Sequence, residues 1–154
     1  MLEVGAAVAR ILADVAPLAT EEVPLREAVG RVLAADVVSP ITLPHWTNSA
    51  MDGYAVRGAD IAGASTEQAI ALPVLETVAA GAFPSVAVAP GQATRIMTGA
   101  PLPEGADTVV RVEDTDGGLD RVRIHKDRDA GKNIRLRGED LSEGAIALPS
   151  GTPI

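Results

Sequence analysis

The sequence predicts an α+β protein that is mostly β, with one amphipathic helix at its N-terminus, and three observations carry that prediction. Apolar residues fall at helical spacing once, at the front of the chain. From Gly53 onward the texture changes to short apolar runs punctuated by glycine and proline, as in strands joined by turns. The 47% hydrophobic content includes one Trp, one Tyr and one Phe, so the core must be built from Val, Leu, Ile and Ala. At 154 residues the chain suits one domain or two small ones.

Val4, Val8, Ile11, Leu12 and Val15 make one stripe of a helix over residues 3–16, which Pro17 stops and which needs a partner surface. Residues 25–29 read as a helical turn closed by Gly30, and the Val-rich run 31–38 as a strand. Further strands are expected at 54–56, 69–78, 92–97, 108–113, 121–125 and 145–148, forming a curled sheet or small barrel. Pro90-Gly91, Glu104-Gly105 and Gly144-Ala145 mark turns, and Asp116-Gly117-Gly118 reads as a hairpin connection. Residues 150–154 follow a strand and a turn with no closing element, so the chain reads as cut rather than finished.

Composition narrows the function. Without cysteine there is no disulfide, thiolate metal site or Cys nucleophile, and two histidines make a histidine-rich zinc site improbable. Glu3, Arg10 and Asp14 interrupt the first apolar stretch and no run spans a bilayer, so neither a signal peptide nor a membrane is expected and the cytoplasm is the default. So few aromatics give no platform for stacking successive bases, and nucleic acid is not an expected partner. Residues 121–137 hold seven basic against two acidic residues, a local +5 in a chain of net −8. That segment is either a field for a compact anion such as a phosphate-bearing small molecule, or a solvated basic hairpin balancing an acidic surface.

Three distant segments place a carboxylate or hydroxyl beside a turn-forming glycine. In Ser49-Ala50-Met51-Asp52-Gly53-Tyr54-Ala55-Val56, small residues leave the Asp52 carboxylate approachable by ligand or metal; the alternative is a primed hairpin turn in which Asp52 only tolerates positive φ. In Thr98-Gly99-Ala100-Pro101-Leu102-Pro103, Gly99 turns backbone N–H groups toward a ligand and Thr98 hydrogen-bonds an oxyanion, or Thr98 caps its own turn. In Asn133-Ile134-Arg135-Leu136-Arg137-Gly138-Glu139-Asp140, alternation puts Arg135 and Arg137 on one face, with guanidinium forks suited to phosphate and adjacent acids suited to a hard cation; the alternative is a local salt-bridge set. His45 and Trp46 read as packing residues under a loop.

Taken together, the stretches 44–56, 95–107 and 133–140 closely resemble the molybdopterin molybdenumtransferase family (MoeA; gephyrin E-domain type). The resemblance covers the N-terminal portion of that architecture only, with the pterin-binding and C-terminal domains lying beyond it. It implies a small discontinuous α/β subdomain over 1–46 and 133–154, with a β-rich barrel-like domain, 47–132, inserted between. It implies insertion of molybdenum from molybdate into adenylated molybdopterin, with Mg²⁺, in molybdenum cofactor biosynthesis, by a homodimer of which this segment alone is inactive. The molybdopterin adenylyltransferase of the same pathway becomes a candidate partner. Catalytic roles fall on Asp52, Thr98 and Asp140, ligand or anion binding on Ser49, Gly99, Arg135 and Arg137, and metal binding on Asp52 and Asp140. The competing expectation is a non-catalytic β-rich module that binds an anionic ligand or a partner subunit, or that dimerises.

Overall fold

A computed structural model of the chain describes residues 3–16 and 18–154. Two units emerge, Met1–Val37 with Ile146–Ile154, and Val38–Ala145. The fold is mostly β with one α-helix among the described residues. The inner boundaries differ from the expected 46/47 and 132/133. Residues 38–46 and 133–145 belong with the sheet-bearing unit, where Leu43 pairs with Leu141 and Asn48 with Arg135.

The first unit opens with α1 (Val4–Leu12), shorter than the expected 3–16, and none of its residues is buried. Asp14 contributes to the early end, because its carboxylate lies at the negative end of the helix dipole. Pro17, the expected stop, lies outside the described residues. A single 3-10 turn covers Leu25–Glu27, and Gly30 follows with φ 82°. The strand expected over 31–38 shrinks to β1 (Val37–Val38), preceded by a short exchange in which Leu33 N–H donates to Thr152 O and Ile154 N–H to Arg31 O, each at 2.9 Å. Between them the Asp36 side chain accepts from Ser150 N–H at 2.7 Å, a side-chain bond taking the place of a ladder bond.

The second unit is built on five strands. After β2 (Asn48–Ser49) come β3 (Gly53–Val56), β4 (Ile70–Val78), β5 (Ala93–Ile96), β6 (Thr108–Arg111) and β7 (Arg121–Ile124), then β8 (Ile134–Arg135); β9 (Ile146–Leu148) belongs to the first unit. The five-stranded sheet has the order β6-β3-β5-β4-β7, with β4 and β5 parallel and the other pairs antiparallel. The Asp116-Gly117-Gly118 turn does reverse the chain, through Thr115 opposite Ile124, but β6 is not its other arm: β6 pairs with β3. Nor is 121–137 a hairpin, since β7 pairs with β4 and β8 with β2.

Both faces of β3 are covered. Tyr54 and Val56 join Leu72, Ala93, Val110, Val122 and Ile124 on one side, while Ala55 joins Val78, Ile96, Ala100 and Val109 on the other. Each fully buried Ile or Val contributes about 1.5–3 kcal/mol. β4 serves both clusters because it carries one extra residue between Val74, opposite Ala93, and Thr77, opposite Arg95. That bulge inverts the alternation, so Leu72 packs into the first cluster and Val78 into the second. Among the described residues no helix is long and apolar enough to cross a membrane.

Candidate functional site

β2 is the seam where the three glycine-bearing segments meet. On one side Asn48 and Ser49 pair with Arg135 and Ile134; on the other, Ser49 N–H donates to Ala100 O at 3.0 Å and Gly99 N–H donates to Ser49 O at 2.8 Å. Ala50 N–H donates to Asn133 O at 2.9 Å, and Asn133 takes φ 63°, a left-handed conformation that Asn tolerates better than most residues. Thr47 ties the same segments once more: its carbonyl accepts from Leu102 N–H at 3.0 Å and its hydroxyl from Arg137 N–H at 3.3 Å.

The Asp52-Gly53 step is not a hairpin turn. Asp52 has no positive φ, and Gly53 opens β3, where a Cβ would collide with the carbonyl of Val110 on β6. Glycine is needed here for close approach of two backbones. The result is a fixed position for Asp52, whose Oδ1 accepts both Thr98 N–H and Thr98 Oγ1–H at 2.7 Å. The backbone bond, then the hydroxyl bond, with a smaller contribution from the Arg95 charge, hold the Asp52 carboxyl below its ordinary value although it is exposed.

This arrangement changes the chemistry expected of the neighbours. Thr98 commits both its donors to Asp52, so toward a ligand its hydroxyl offers acceptor lone pairs rather than a proton. Gly99 has the expected left-handed φ of 81°, but its N–H is bound to Ser49 O and that of Ala100 to Met97 O, so the turn presents no cluster of free N–H groups. Ser49 is buried, its hydroxyl donating to Met51 O at 2.5 Å and accepting from Met51 N–H at 3.2 Å. Its polar atoms shape the loop that carries Asp52.

The third segment holds its own ion pairs. Arg135 Nε donates to Glu139 Oε1 at 2.7 Å and Nη2 donates to Asp140, while Glu139 Oε2 accepts from Leu136 N–H at 2.7 Å. The expected local salt-bridge set is thus formed, and Glu139 and Asp140 both hold Arg135. β8 ends at Arg135, so the alternation that would align Arg137 with it stops there; Arg137 is exposed and makes no ion pair among the described residues. No hydrogen bond or ion pair among the described residues links the Asp52–Thr98 pair to the Arg135–Asp140 pair.

Three of the seven basic residues in 121–137, Lys126, Arg128 and Arg135, are engaged in ion pairs. Buried Asp114 receives Lys126 Nζ at 3.0 Å and Arg128 Nη2 at 2.6 Å, and buried Asp129 receives Arg111 N–H, Nε and Nη2 at 3.2, 3.1 and 3.1 Å. Burial pushes both carboxyls up, but these partners outweigh it and leave each below its ordinary value. Two of the basic residues thus serve as internal counter-ions.

Among the described residues, no three or more His, Asp or Glu side chains gather as a metal cage. Asp140 is a poor fit while the Arg135 guanidinium holds it. Asp52, exposed and with its carboxyl held below its ordinary value, is the better fit to a hard cation such as Mg²⁺ that keeps most of its ligands as water.

The family model for the MoeA N-terminal region (domain I and II) matches residues 2–154. Molybdopterin molybdenumtransferase 2 of Mycobacterium tuberculosis is 50% identical over 129 residues, covering 84% of this chain and 32% of its own. Molybdopterin molybdenumtransferase of Synechococcus elongatus is 45% identical over 154 residues, covering 98% and 38%. The crystal structure of the molybdopterin biosynthesis moeA protein from Pyrococcus horikoshii OT3 matches with a TM-score of 0.77 at 39% identity, over 87% of this chain and 35% of that one. The chain therefore spans about a third of the length of these relatives.

Proposed function

This chain belongs to the MoeA N-terminal region (domain I and II) family, and on that premise we propose that it supplies one wall of a molybdopterin molybdenumtransferase site, where molybdenum passes from molybdate to adenylated molybdopterin in molybdenum cofactor biosynthesis. The observation that carries this reading is the Asp52–Thr98 pair, set by the backbone of three converging segments. Asp52 and Thr98 act as one unit: the carboxylate fixes the hydroxyl, and the two Thr98 donors keep the carboxylate charged. Arg135 exchanges its acid partners for oxygens of phosphate or molybdate, with Arg137 as a second cation, and Asp140 is released toward the ligand. Arg guanidinium forks match such oxyanions in geometry. A Mg²⁺ at Asp52 would offset charge on the adenylate phosphate. This chain's own residues position the ligand and fix the fields around it. The rest of the pocket comes from the remainder of a full-length homodimer in the cytoplasm, and this segment alone is inactive.

The test is a chimera in which this chain replaces the matching part of the Synechococcus relative. Asp52→Ala and Thr98→Ala should each lower molybdenum insertion by about 100-fold, the usual scale for removing a preorganised polar group. Unchanged turnover in both variants would remove the pair from the reaction.

A further inference from the structure

The chain's only Trp and only Phe meet on its surface. The Trp46 and Phe83 ring centroids are 5.0 Å apart at 63°, and His45 lies 5.8 Å from Trp46, giving a row of three rings. Trp46 is half-buried, but Phe83 is 65% exposed, so burial of its own surface does not explain its place. The loop beneath it is clamped. The Glu76 carboxylate accepts Ser85 N–H at 2.9 Å, Ser85 Oγ–H at 2.6 Å and Val86 N–H at 3.2 Å, and Ala82 N–H closes a turn onto Ala79 O at 3.0 Å.

Both ring-bearing stretches start from the backbone that frames the site. Val78, where the Phe83 loop departs, accepts from the N–H of Met97, the residue before Thr98; Thr47, next to Trp46, joins Leu102 and Arg137. We infer that Trp46 and Phe83 form a stacking subsite for the fused nitrogen heterocycle of the ligand, a purine or a pterin. The inference rests on the function proposed above and adds to it where the planar end of the ligand lies. An exposed aromatic pair on a clamped loop, bonded through its backbone to the segments of the proposed oxyanion site, offers a π-face to a ring whose phosphate end is held elsewhere, and one pair accommodates one ring rather than a strand of bases.

Trp46 being the only tryptophan, its fluorescence reports this place alone. The 154-residue chain is titrated with AMP, with 6-carboxypterin and with ribose 5-phosphate, using free tryptophan amide as the optical blank. Saturable quenching by AMP, by the pterin or by both supports the subsite and assigns the purine, the pterin or either, provided ribose 5-phosphate leaves the emission unchanged. Phe83→Leu, which keeps apolar bulk and removes the ring, should weaken binding about 5-fold or more, and Phe83→Tyr should retain it. No saturable quenching by either heterocycle, equal quenching by ribose 5-phosphate, or unchanged affinity in Phe83→Leu overturns the inference. Circular dichroism verifies that the variants are folded. Molybdate binding, read separately by calorimetry, keeps the two ideas apart: molybdate bound without either ring sinks the subsite alone, while ring binding without molybdate sinks the oxyanion reading alone.

Discussion

Asp114 and Asp129 share a unit with Asp52 and Asp140, and all four acids are hydrogen-bonded, yet the first two are buried and the second two exposed. The buried acids direct their oxygens at cations of the fold itself, Lys126, Arg128 and Arg111. They fix the segment between β7 and β8 onto β6. The exposed acids have one local partner each, Thr98 and Arg135, and keep access to solvent. A lowered carboxyl value is common to Asp52, Asp114 and Asp129, so it does not single out the candidate site; exposure together with convergence of segments does.

The contrast can be broken in order of size. Asp129→Ala takes the acceptor from Arg111 N–H and Nη2, while Arg111 Nε still faces Asp114 at 3.7 Å, and should cost about 1–3 kcal/mol in urea unfolding. A loss well under that range would place Asp129 with the surface acids. Gly53→Ala drives a methyl into the Val110 carbonyl and should cost about 1–3 kcal/mol while also displacing Asp52, so the chimera should lose both stability and turnover. Asp52→Asn should leave the melting temperature unchanged and still reduce turnover; equal losses of both would make Asp52 structural. The smallest effect lies in acid. The folded-state values of Asp114 and Asp129 are lowered from 3.8, so their contribution is complete above that pH and fades as pH falls through the lowered values. Stability should be flat near neutrality and decline only in strong acid, and Asp129→Ala should flatten that decline.

Much of this was legible in the sequence. The strands over 69–78, 92–97, 108–113, 121–125 and 145–148 appear within a few residues of their expected bounds, because β-branched runs between Gly and Pro signals leave little choice of conformation. The three converging segments were marked by a carboxylate or hydroxyl beside a glycine. What pairs with what was not legible: the turn at Gly117 suggested β6 beside β7, whereas long-range burial of Val110 and Val122 on a common face placed β3, β5 and β4 between them. Asn133 carried a readable signal, an Asn preceding an apolar residue at a turn, but its role in receiving Ala50 N–H depends on a neighbour far away in the chain. The same holds for Arg135 and Glu139, whose spacing of four was visible while the absence, among the described residues, of any hydrogen bond or ion pair joining them to Asp52 and Thr98 was not. The burial of Ser49 and the engagement of the Gly99 N–H follow from β2 lying between two partners, which composition does not encode.

The parallel pairing of β4 with β5 has one more consequence. Two neighbours running the same way cannot be joined by a tight reversal, so the chain must travel back along residues 79–92 before it can begin β5. That excursion is compulsory in length and adds no rung to the sheet; it is held instead at Ser85 and Val86 by Glu76 and at buried Val88. Exchange of the side chain at position 83 therefore leaves the rungs of the five-stranded sheet untouched.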